Sequence, residues 1–418
     1  MRSNRNGPLQ DKTWAITALL ATAACINYAD RSSLSIAAPA ISRDMALSDV
    51  QLGLLLSTFF WTYTLYQSIS GWLTDRYPVR WVFAVGFLVW CGATLSSGLA
   101  RGLIGLALLR LLLGAGESVA FPCYSKIIAA RFPIERRGLP NSLIDAGTKL
   151  GPAIGTLAGG LVMAHFGWRA MFFVLGSAGL LWLIPWMRVA PRGTADNAAE
   201  GLAPSVAQIL RRRDAWGTFI GNFCYQYGYY FLLTWLPTYL VRERRVSIES
   251  MSILASLPFW MAAVSAVVCG ALADRLISRG ASPSRVRKGF VAGGLLLTTV
   301  MVPAAITPNL SVSIALLCVS YAAFGMAASN HWAISQTLAG TAAAGTWSGI
   351  KNTIGNLAGI IAPVATGWLV QATGGFLAAF ISPAIVAVAG ACSWAFLVGD
   401  VAPIHWAPDY AMSKRSTV

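Results

Sequence analysis

The feature that most constrains this chain is a series of long apolar runs separated by short polar segments. A hydrocarbon layer about 30 Å thick requires roughly 20 apolar residues per helix, and α-helices satisfy the backbone polar groups of such runs in lipid. Charged residues make up only 11% of the chain, whereas soluble domains contain about 25%. We therefore predict an all-α membrane protein with twelve transmembrane helices in two six-helix halves around a central cavity. The predicted helices lie near 14–40, 51–73, 81–98, 103–128, 140–164, 169–189, 215–240, 251–275, 288–306, 311–335, 345–370 and 376–399.

A segment rich in charge, Pro, Gly and Ala separates the two halves. We predict an N-terminal tail at 1–13, a first bundle at 14–189, a linker at 190–214, a second bundle at 215–399 and a C-terminal tail at 400–418. Lys and Arg accumulate on the cytoplasmic side of membrane proteins. With the amino terminus inside, twenty of them lie in inner segments and six in outer loops. Both termini and the linker are therefore predicted to be cytoplasmic, and the polar start predicts a retained first helix rather than a signal peptide.

The net charge of +15 would suggest a nucleic-acid partner in a soluble protein. Here the basic residues form short clusters between apolar runs, so we predict no nucleic-acid partner. The seven cysteines stand singly within predicted helices, and no group of His, Cys and acidic residues has metal-ligand spacing. We expect membrane lipid as a partner, no metal, no enzymatic activity and no cofactor other than protons. Trp182, Trp186 and Trp406 predict an aromatic belt at the membrane interface.

A short motif occurs once in each half, as GWLTDR at 71–76 and as GALADR at 270–275. Each copy follows the second predicted helix of its half, so the chain is a duplicated six-helix unit, a transporter plan that binds substrate between the halves. GWLTDRYPVR resembles the loop signature of the major facilitator superfamily. The resemblance implies that the motif residues control conformational exchange without touching substrate, with the arginines of the first copy meeting helix carboxyl ends. These residues are Gly71, Asp75, Arg76, Arg80, Asp274 and Arg275.

A narrower resemblance begins in the first helix, where NYADRSSLSIAAP is similar to the pattern of the anion:cation symporter family of that superfamily. The further matches are RLLLGAGESVAFP, FLLTWLPTYL, NHWAIS and GIKNTIGNLAGIIAP. The resemblance implies a carrier of sugar acids or other carboxylates, since bacterial members carry these anions and animal relatives include vesicular glutamate and sialic acid transporters. It also implies a bacterial inner-membrane location and a monomer.

Arg31, in the first helix, is the leading candidate for holding the substrate anion. A charge at a helix centre costs roughly 2.5 to 3.5 kcal/mol, so it requires a partner, water or a function. Tyr28, Arg31 and Ser35 share one helical face, whereas Asp30 points about 100° away from Arg31. The planar guanidinium matches a carboxylate, and a structural ion pair is the alternative. The family resemblance implies the substrate role, and Tyr63 on the second helix is a weaker candidate for the same carboxylate.

Arg110 and Glu117 lie two turns apart on the fourth helix, and Gly114 between them leaves space for another backbone or a ligand. An ionised Glu117 can pair with Arg110 or with another cation, so such a pair can couple proton binding to movement. The alternative is that the two charges only neutralise each other. The resemblance implies that Asp30 and Glu117 carry protons.

The sequence leaves the roles of two lysines, Lys149 and Lys351, open. Lys149 follows Asp145 by four residues, so it forms either a local ion pair or a second cation of the cavity. Lys351 raises the same question without a local acid. If both lysines face the cavity, the site suits a dianion. His331, like His165, is interpreted as structural.

Uncharged polar side chains share faces on the tenth and eleventh helices: Ser329, Trp332 and Gln336, and then Asn352 and Asn356. Hydroxyl and amide groups suit a hydroxy-acid chain, and helix packing is the alternative role. The resemblance places Ser329, Trp332 and Asn352 on positions that line the substrate cavity.

These features predict a proton-coupled symporter that imports a small organic anion by alternating access, with Arg31 holding the carboxylate and Asp30 and Glu117 carrying protons. Proton-driven efflux of drugs or organic anions is the alternative, because GTKLGPAIG resembles a helix-five motif of antiporters. Aromatic and dicarboxylic acids stay open as substrates beside the sugar acids.

Overall fold

A computed structural model describes residues 7–132, 138–190, 204–404 and 406, and this part of the chain is helical without β-strands. The predicted tails and linker fall partly outside these residues, as do Arg136 and Arg137. Two short π-helices lie at Gly155–Gly159 and Ser393–Leu397. The helices are α1 Gly7–Asp44, α2 Asp49–Arg76, α3 Val79–Ser97, α4 Leu103–Glu117, α5 Ala120–Arg131, α6 Gly138–Ile154, α7 Gly160–Val189, α8 Val206–Leu210, α9 Arg213–Arg242, α10 Ile248–Ser278, α11 Pro283–Thr298, α12 Met301–Ile306, α13 Leu310–Thr373 and α14 Leu377–Cys392.

Eight segments of the described chain are long and apolar enough to cross a membrane. Helices α1, α2 and α9, with 38, 28 and 30 residues, have the length but are not among the eight. These three helices are more polar than the eight segments are. Helix α1, for example, carries Asn27, Asp30 and Arg31 along its middle. Twelve crossings therefore stay a prediction. Two of these three helices, α1 and α2, carry candidate site residues, Arg31 and Tyr63 among them.

Two glycines interrupt helices that are otherwise continuous. Gly167 has φ 83° within α7, and Gly340 has φ 61° within α13. Residues with a side chain rarely adopt such backbone angles, so glycine is the natural residue at a break of this kind. The breaks lie between the predicted runs 140–164 and 169–189, and between 311–335 and 345–370, which confirms these boundaries.

The chain divides into two compact units. The first unit comprises 1–197, 231–260 and 360–376, and the second comprises 198–230, 261–359 and 377–418. The first unit thus includes segments that the sequence assigns to the second bundle, and the bundle boundaries stay a prediction.

Glycines at four-residue spacing pack α6 against α1 in the first unit. A Cβ atom on Gly147 or Gly151 would overlap the carbonyl oxygens of Ala21 and Cys25, and one on Gly155 would lie 3.0 Å from the Cα atom of Ala29. Small residues at this spacing let membrane helices approach closely. The glycines of GTKLGPAIG thus pack two helices together, and the efflux alternative that this motif suggested stays a prediction.

Aromatic side chains fill the space between α3 and α7. The ring centroids of Phe83 and Trp186 lie 4.9 Å apart, and those of Phe87 and Trp182 lie 4.4 Å apart. Trp186 is fully buried, and its indole N–H donates to the Arg80 carbonyl at 3.2 Å. The prediction that Trp182 and Trp186 belong to an interfacial belt is therefore wrong, because their neighbours in the fold cover them.

The duplicated motif leads in each unit to a basic residue that caps a helix end. Arg80 Nη2 donates to the Met187 carbonyl at 2.6 Å, near the end of α7. In the second unit, Lys288 Nζ donates to the Val398 carbonyl at 2.6 Å, just after the π-helix that follows α14. Cations at helix carboxyl ends interact favourably with the terminal carbonyls. Each unit thus contains a basic side chain, a short distance after its copy of the motif, that donates to a carbonyl near a helix end.

The other motif residues are placed as follows. Arg76 is exposed and its guanidinium lies 5.6 Å from the centroid of Trp72. Asp274 pairs with Arg287 at 3.2 Å, and Gly71 and Arg275 lie near the ends of α2 and α10. The side chain of Asp75 lies outside the described residues. The role of these residues in conformational exchange stays a prediction.

Candidate functional site

The centre of the candidate site is a buried ion pair between α1 and α4. Arg31 Nη2 donates to Glu117 Oε2 at 2.9 Å, and Arg31 Nε donates to the same oxygen at 3.3 Å. Arg31 is 4% exposed and Glu117 is 0% exposed. The sequence offered Arg110 or another cation as the partner of Glu117. The structure shows the second alternative, because Arg31 on α1 holds Glu117. The other oxygen, Glu117 Oε1, is buried and accepts no hydrogen bond from the described residues.

Three aromatic rings surround the Arg31 guanidinium. Its Cζ atom lies 4.4 Å from the ring centroid of Tyr28, 4.6 Å from Phe59 and 4.6 Å from Tyr63. Aromatic faces attract a cation, more strongly when water is excluded. Tyr28 and Tyr63, both predicted substrate residues, are thus brought together with Arg31, and Phe59 is a neighbour that the sequence reasoning missed.

Arg110 does not pair with Glu117 in this structure. Its Nη1 and Nη2 atoms donate to the backbone carbonyls of Asp30 and Arg31 at 3.4 Å and 3.1 Å. Mutual neutralisation of Arg110 and Glu117 is therefore wrong as an account of the pair. Arg110 instead connects α4 to the turn of α1 that carries both candidate charges.

The backbone of α2 occupies the space beside Gly114. A Cβ atom there would overlap the Phe59 carbonyl oxygen and lie 3.1 Å from the Tyr63 nitrogen. The sequence left either another backbone or a ligand to fill the space at Gly114, and the structure shows the backbone of α2 there. The close approach of α2 to α4 brings Phe59 and Tyr63 to the guanidinium of Arg31.

Asp30 has neighbours quite different from those of Arg31, as their angular separation predicts. It is 1% exposed, and the thiol of Cys91 on α3 lies 3.9 Å from its Oδ2 atom. No ion pair to Asp30 is found among the residues that the structure describes. Two adjacent residues of α1 therefore face different helices: Arg31 pairs with Glu117 on α4, and Asp30 lies beside Cys91 on α3.

Lys149 forms the local ion pair with Asp145, which was one of the two roles that the sequence left open for it. Its Nζ atom lies 3.2 Å from Asp145 Oδ1 and 3.2 Å from Thr148 Oγ1. Asp145 is exposed and Lys149 is half-buried. The predicted contact of Lys149 with substrate stays a prediction.

The second unit holds the remaining polar candidates. Lys351 is fully buried and contacts His331, and its Nζ atom lies 4.1 Å from the ring centroid of Trp332. Asn352 is half-buried. Ser329 is exposed, and its hydroxyl donates to the Ala266 carbonyl at 3.5 Å. Trp332 and Lys351 are thus brought together, whereas Ser329 lies against α10.

Asn356 belongs to a chain of hydrogen bonds between α9 and α13. The Tyr230 hydroxyl donates to Asn356 Oδ1 at 3.0 Å and accepts from Gln226 Nε2 at 3.1 Å. Asn222 Nδ2 donates to the Lys351 carbonyl at 3.1 Å. The sequence analysis missed the three residues of α9, although Asn222, Gln226 and Tyr230 stand four residues apart and therefore share a helical face.

Asn27 and Cys91 were also missed. Asn27 Oδ1 accepts a hydrogen bond from Arg31 Nη2 at 3.5 Å, and its position four residues before Arg31 is a signal that helical spacing offers. Cys91 carries no such signal, because a lone buried cysteine is an ordinary core residue.

The first unit also includes close contacts at the helix ends that the charge count assigns to the outer side. Asp49 pairs with Arg242, and the Val50 N–H donates to Gln371 Oε1 at 3.3 Å. A Cβ atom on Gly53 would lie 2.5 Å from the Pro363 carbonyl oxygen. These contacts hold the first turns of α2 against α9 and α13.

Comparison with known proteins finds transporters that are similar to this chain over nearly its whole length. The probable galactarate/D-glucarate transporter of Bacillus subtilis is 29% identical, over 93% of this chain and 92% of that protein. The D-galactonate transporter of Escherichia coli is 30% identical, over 90% and 93% of the two chains. A solved bacterial homolog of the human lysosomal transporter Spinster, in an inward-facing and occupied conformation, has a TM-score of 0.77 at 18% identity, over 91% and 96% of the two chains.

The family model of the Major Facilitator Superfamily matches residues 20–363. This match spans most of the chain and includes both copies of the repeated motif. Proteins of this family are membrane transporters rather than enzymes. The chain therefore belongs to the Major Facilitator Superfamily, and its relatives agree with the resemblance of its motifs to the anion:cation symporter family.

Proposed function

We propose that this protein imports a small organic anion, a sugar acid or another carboxylate, together with protons by alternating access. The observation that supports the proposal is the buried pair of Arg31 and Glu117 among three aromatic rings. A guanidinium binds a carboxylate through a planar fork, and Glu117 occupies that fork here. The substrate carboxylate and an ionised Glu117 therefore compete for Arg31.

Protonation of Glu117 removes this competition. The neutral acid attracts Arg31 less, so the guanidinium becomes free for the substrate, and proton uptake favours anion binding. By thermodynamic linkage, anion binding must favour protonation of Glu117 to the same extent. The buried Oε1 atom, which accepts no hydrogen bond from described residues, is a position where a proton can be added.

Asp30 is the second proposed proton carrier. It is buried beside the Cys91 thiol, and a buried charge without a counter-ion is unfavourable in a membrane protein. Arg110 donates to the carbonyls of Asp30 and Arg31, so we propose that it holds the α1 turn in register with α4. Neutral Asp30 and Glu117 then permit the conformational exchange that releases proton and anion on the inner side.

The relatives support this substrate class, since the two transporters named above carry sugar acids by their names. We further propose a bacterial inner-membrane location with both termini cytoplasmic, a monomer, and no cofactor other than the proton.

Uptake into proteoliposomes tests the proposal. Labelled aldonate, aldarate, uronate, dicarboxylate and aromatic carboxylate are supplied with and without an inward proton gradient. We expect accumulation of at least one acid only with the gradient, and loss of its binding in Arg31→Ala but not in the exposed control Arg169→Gln. If no acid accumulates and preloaded compounds leave in exchange for protons, the protein is an efflux antiporter and the proposal fails.

A further inference from the structure

Asn27 and Glu117 accept hydrogen bonds from the same guanidinium nitrogen of Arg31. Arg31 Nη2 donates to Glu117 Oε2 at 2.9 Å and to Asn27 Oδ1 at 3.5 Å. Asn27 lies one helical turn before Arg31 on α1, a spacing at which two side chains of a helix are neighbours. It is 1% exposed, so the contact is buried. The proton cycle proposed above does not use this amide.

The two acceptors of Arg31 Nη2 respond differently to protons. Glu117 loses its negative charge when it binds a proton, whereas the amide of Asn27 stays uncharged. Asn27 also belongs to the same helix as Arg31, so their contact does not depend on the separation between α1 and α4. The hydrogen bond to Asn27 therefore persists when protonation weakens the ion pair with Glu117.

The other end of the Asn27 amide argues against a role in packing alone. Its Nδ2 atom is buried and donates to no acceptor among the residues that the structure describes. A buried donor without a partner destabilises the fold. An apolar side chain of similar size would avoid this penalty, so packing does not account for an asparagine at this position.

The helices packed around this turn of α1 carry several other titratable or charged side chains. They are Tyr28 and Asp30 on α1, Tyr63 on α2, Cys91 on α3, Arg110 and Glu117 on α4, Tyr124 on α5, and the pair of Asp145 and Lys149 on α6. Within the described part of the chain, Glu117 is the carboxylate that forms an ion pair with Arg31. Its protonation weakens that pair, and a buried cation then depends more on uncharged acceptors.

We propose that Asn27 is a positioning residue, the uncharged acceptor that holds the Arg31 guanidinium in place when a protonated Glu117 releases it. This inference rests on the proposed function, in which Glu117 and the substrate anion compete for Arg31. A guanidinium held at one nitrogen keeps its other N–H donors directed, so less conformational freedom is lost when the anion binds. Asn27 thus raises the affinity for the anion by acting through Arg31.

Replacement of Asn27 by leucine removes the acceptor and keeps a side chain of similar size. We expect Asn27→Leu to bind the anion about tenfold more weakly. Asn330→Leu is the matched control, since Asn330 is also 1% exposed and also has one amide atom without a partner in the described chain, but lies in the second unit. Isothermal calorimetry in detergent measures the affinities for galactarate and galactonate. Equal losses of affinity in the two variants would overturn the inference.

A pH profile separates this role from a purely structural one. Glu117→Gln should bind the anion with little dependence on pH, because the titrating competitor is gone. In the double variant Asn27→Asp with Glu117→Gln, the introduced carboxylate lies beside Arg31 Nη2 and competes with the anion whenever it is ionised. We therefore expect the double variant to regain an affinity that rises as the pH falls.

A double variant as insensitive to pH as Glu117→Gln would overturn the inference. This comparison also decides the case if Asn27→Leu does not fold, because aspartate has the size and shape of asparagine. Failure of the proposed function has a different signature. The wild type then accumulates no acid under a proton gradient, or Glu117→Gln keeps the full pH dependence of the wild type.

Discussion

Arg31 and Glu117, 86 residues apart in sequence, form a buried ion pair in which two guanidinium nitrogens donate to one carboxylate oxygen. This relationship gives Arg31 two possible anionic partners, Glu117 and the substrate. It also gives Glu117 two alternatives, the guanidinium or a proton. Competition at a single cation is thus a simple physical basis for coupling anion binding to protons.

Two substitutions of Arg31 distinguish the contribution of its positive charge from that of its planar guanidinium group. We expect Arg31→Ala to abolish anion binding and to destabilise the protein, since removing one partner of a buried pair costs about 3 to 5 kcal/mol. Arg31→Lys keeps the charge but loses the planar fork, so we expect it to fold and to bind the anion at least tenfold more weakly. Binding by isothermal calorimetry and thermal unfolding in detergent measure both effects. Normal anion affinity in Arg31→Ala would contradict the assignment.

Replacing Glu117 by glutamine mimics its protonated form. We expect Glu117→Gln to bind the anion at least as tightly as the wild type, because the competitor for Arg31 is gone. Accumulation driven by a proton gradient should be lost, because the site no longer binds and releases a proton. Wild-type anion affinity should increase as the pH falls, whereas that of the variant should depend less on pH. Asp145→Asn, at an exposed acid that also pairs with a basic residue, is the control.

Gly53 tests the close packing at the predicted outer ends of α2 and α13. Because a Cβ atom would lie 2.5 Å from the Pro363 carbonyl oxygen, Gly53→Ala should separate these helix ends. Gly92→Ala is a matched control, since nothing lies within 4 Å of its added Cβ atom. A short cross-linker between V50C and Q371C, in a background without other cysteines, reports the separation. We expect a lower yield in Gly53→Ala only, and equal yields would show that the helices accommodate the methyl group.

Asp44 connects the end of α1 to α7 and allows a test of pH dependence. The Trp168 indole donates to Asp44 Oδ2 at 2.9 Å and Arg169 Nη1 donates at 3.2 Å. These hydrogen bonds lower the pKa of Asp44 below its ordinary value of 3.8. A lowered folded-state pKa means that the carboxylate stabilises the fold above the unfolded-state pKa, and that this contribution is lost as the pH falls through the folded-state value.

We therefore expect Asp44→Asn to lower the melting temperature by the same amount from pH 7 to pH 5. The difference from the wild type should shrink only below pH 3.8. Thermal unfolding in detergent across this range measures it, with Asp400→Asn as an exposed control. A difference that disappears above pH 5 would show that these hydrogen bonds do not hold Asp44 ionised.

The sequence by itself determined the helical membrane fold, the duplication and the set of charged residues within the apolar runs. Runs of about 20 apolar residues, a repeated loop motif and charges inside apolar runs are local features, and their meaning follows from the cost of polar groups in lipid. Spacing along one helix also predicted that Asp30 and Arg31 have different neighbours and offered the pairing of Lys149 with Asp145. The last two results depend on residues within one or two helical turns of a single helix.

Only the tertiary structure decided which cation holds Glu117 and what Arg110 and Lys351 contact. Arg110 shares a helix with Glu117, yet it donates to carbonyls of α1, while Arg31 on α1 takes the carboxylate. The close approach of α2 at Gly114 then brings Phe59 and Tyr63 to Arg31. Such choices depend on the rotation and separation of neighbouring helices, which a change of a few ångströms would alter, and no pattern within a single helix specifies them.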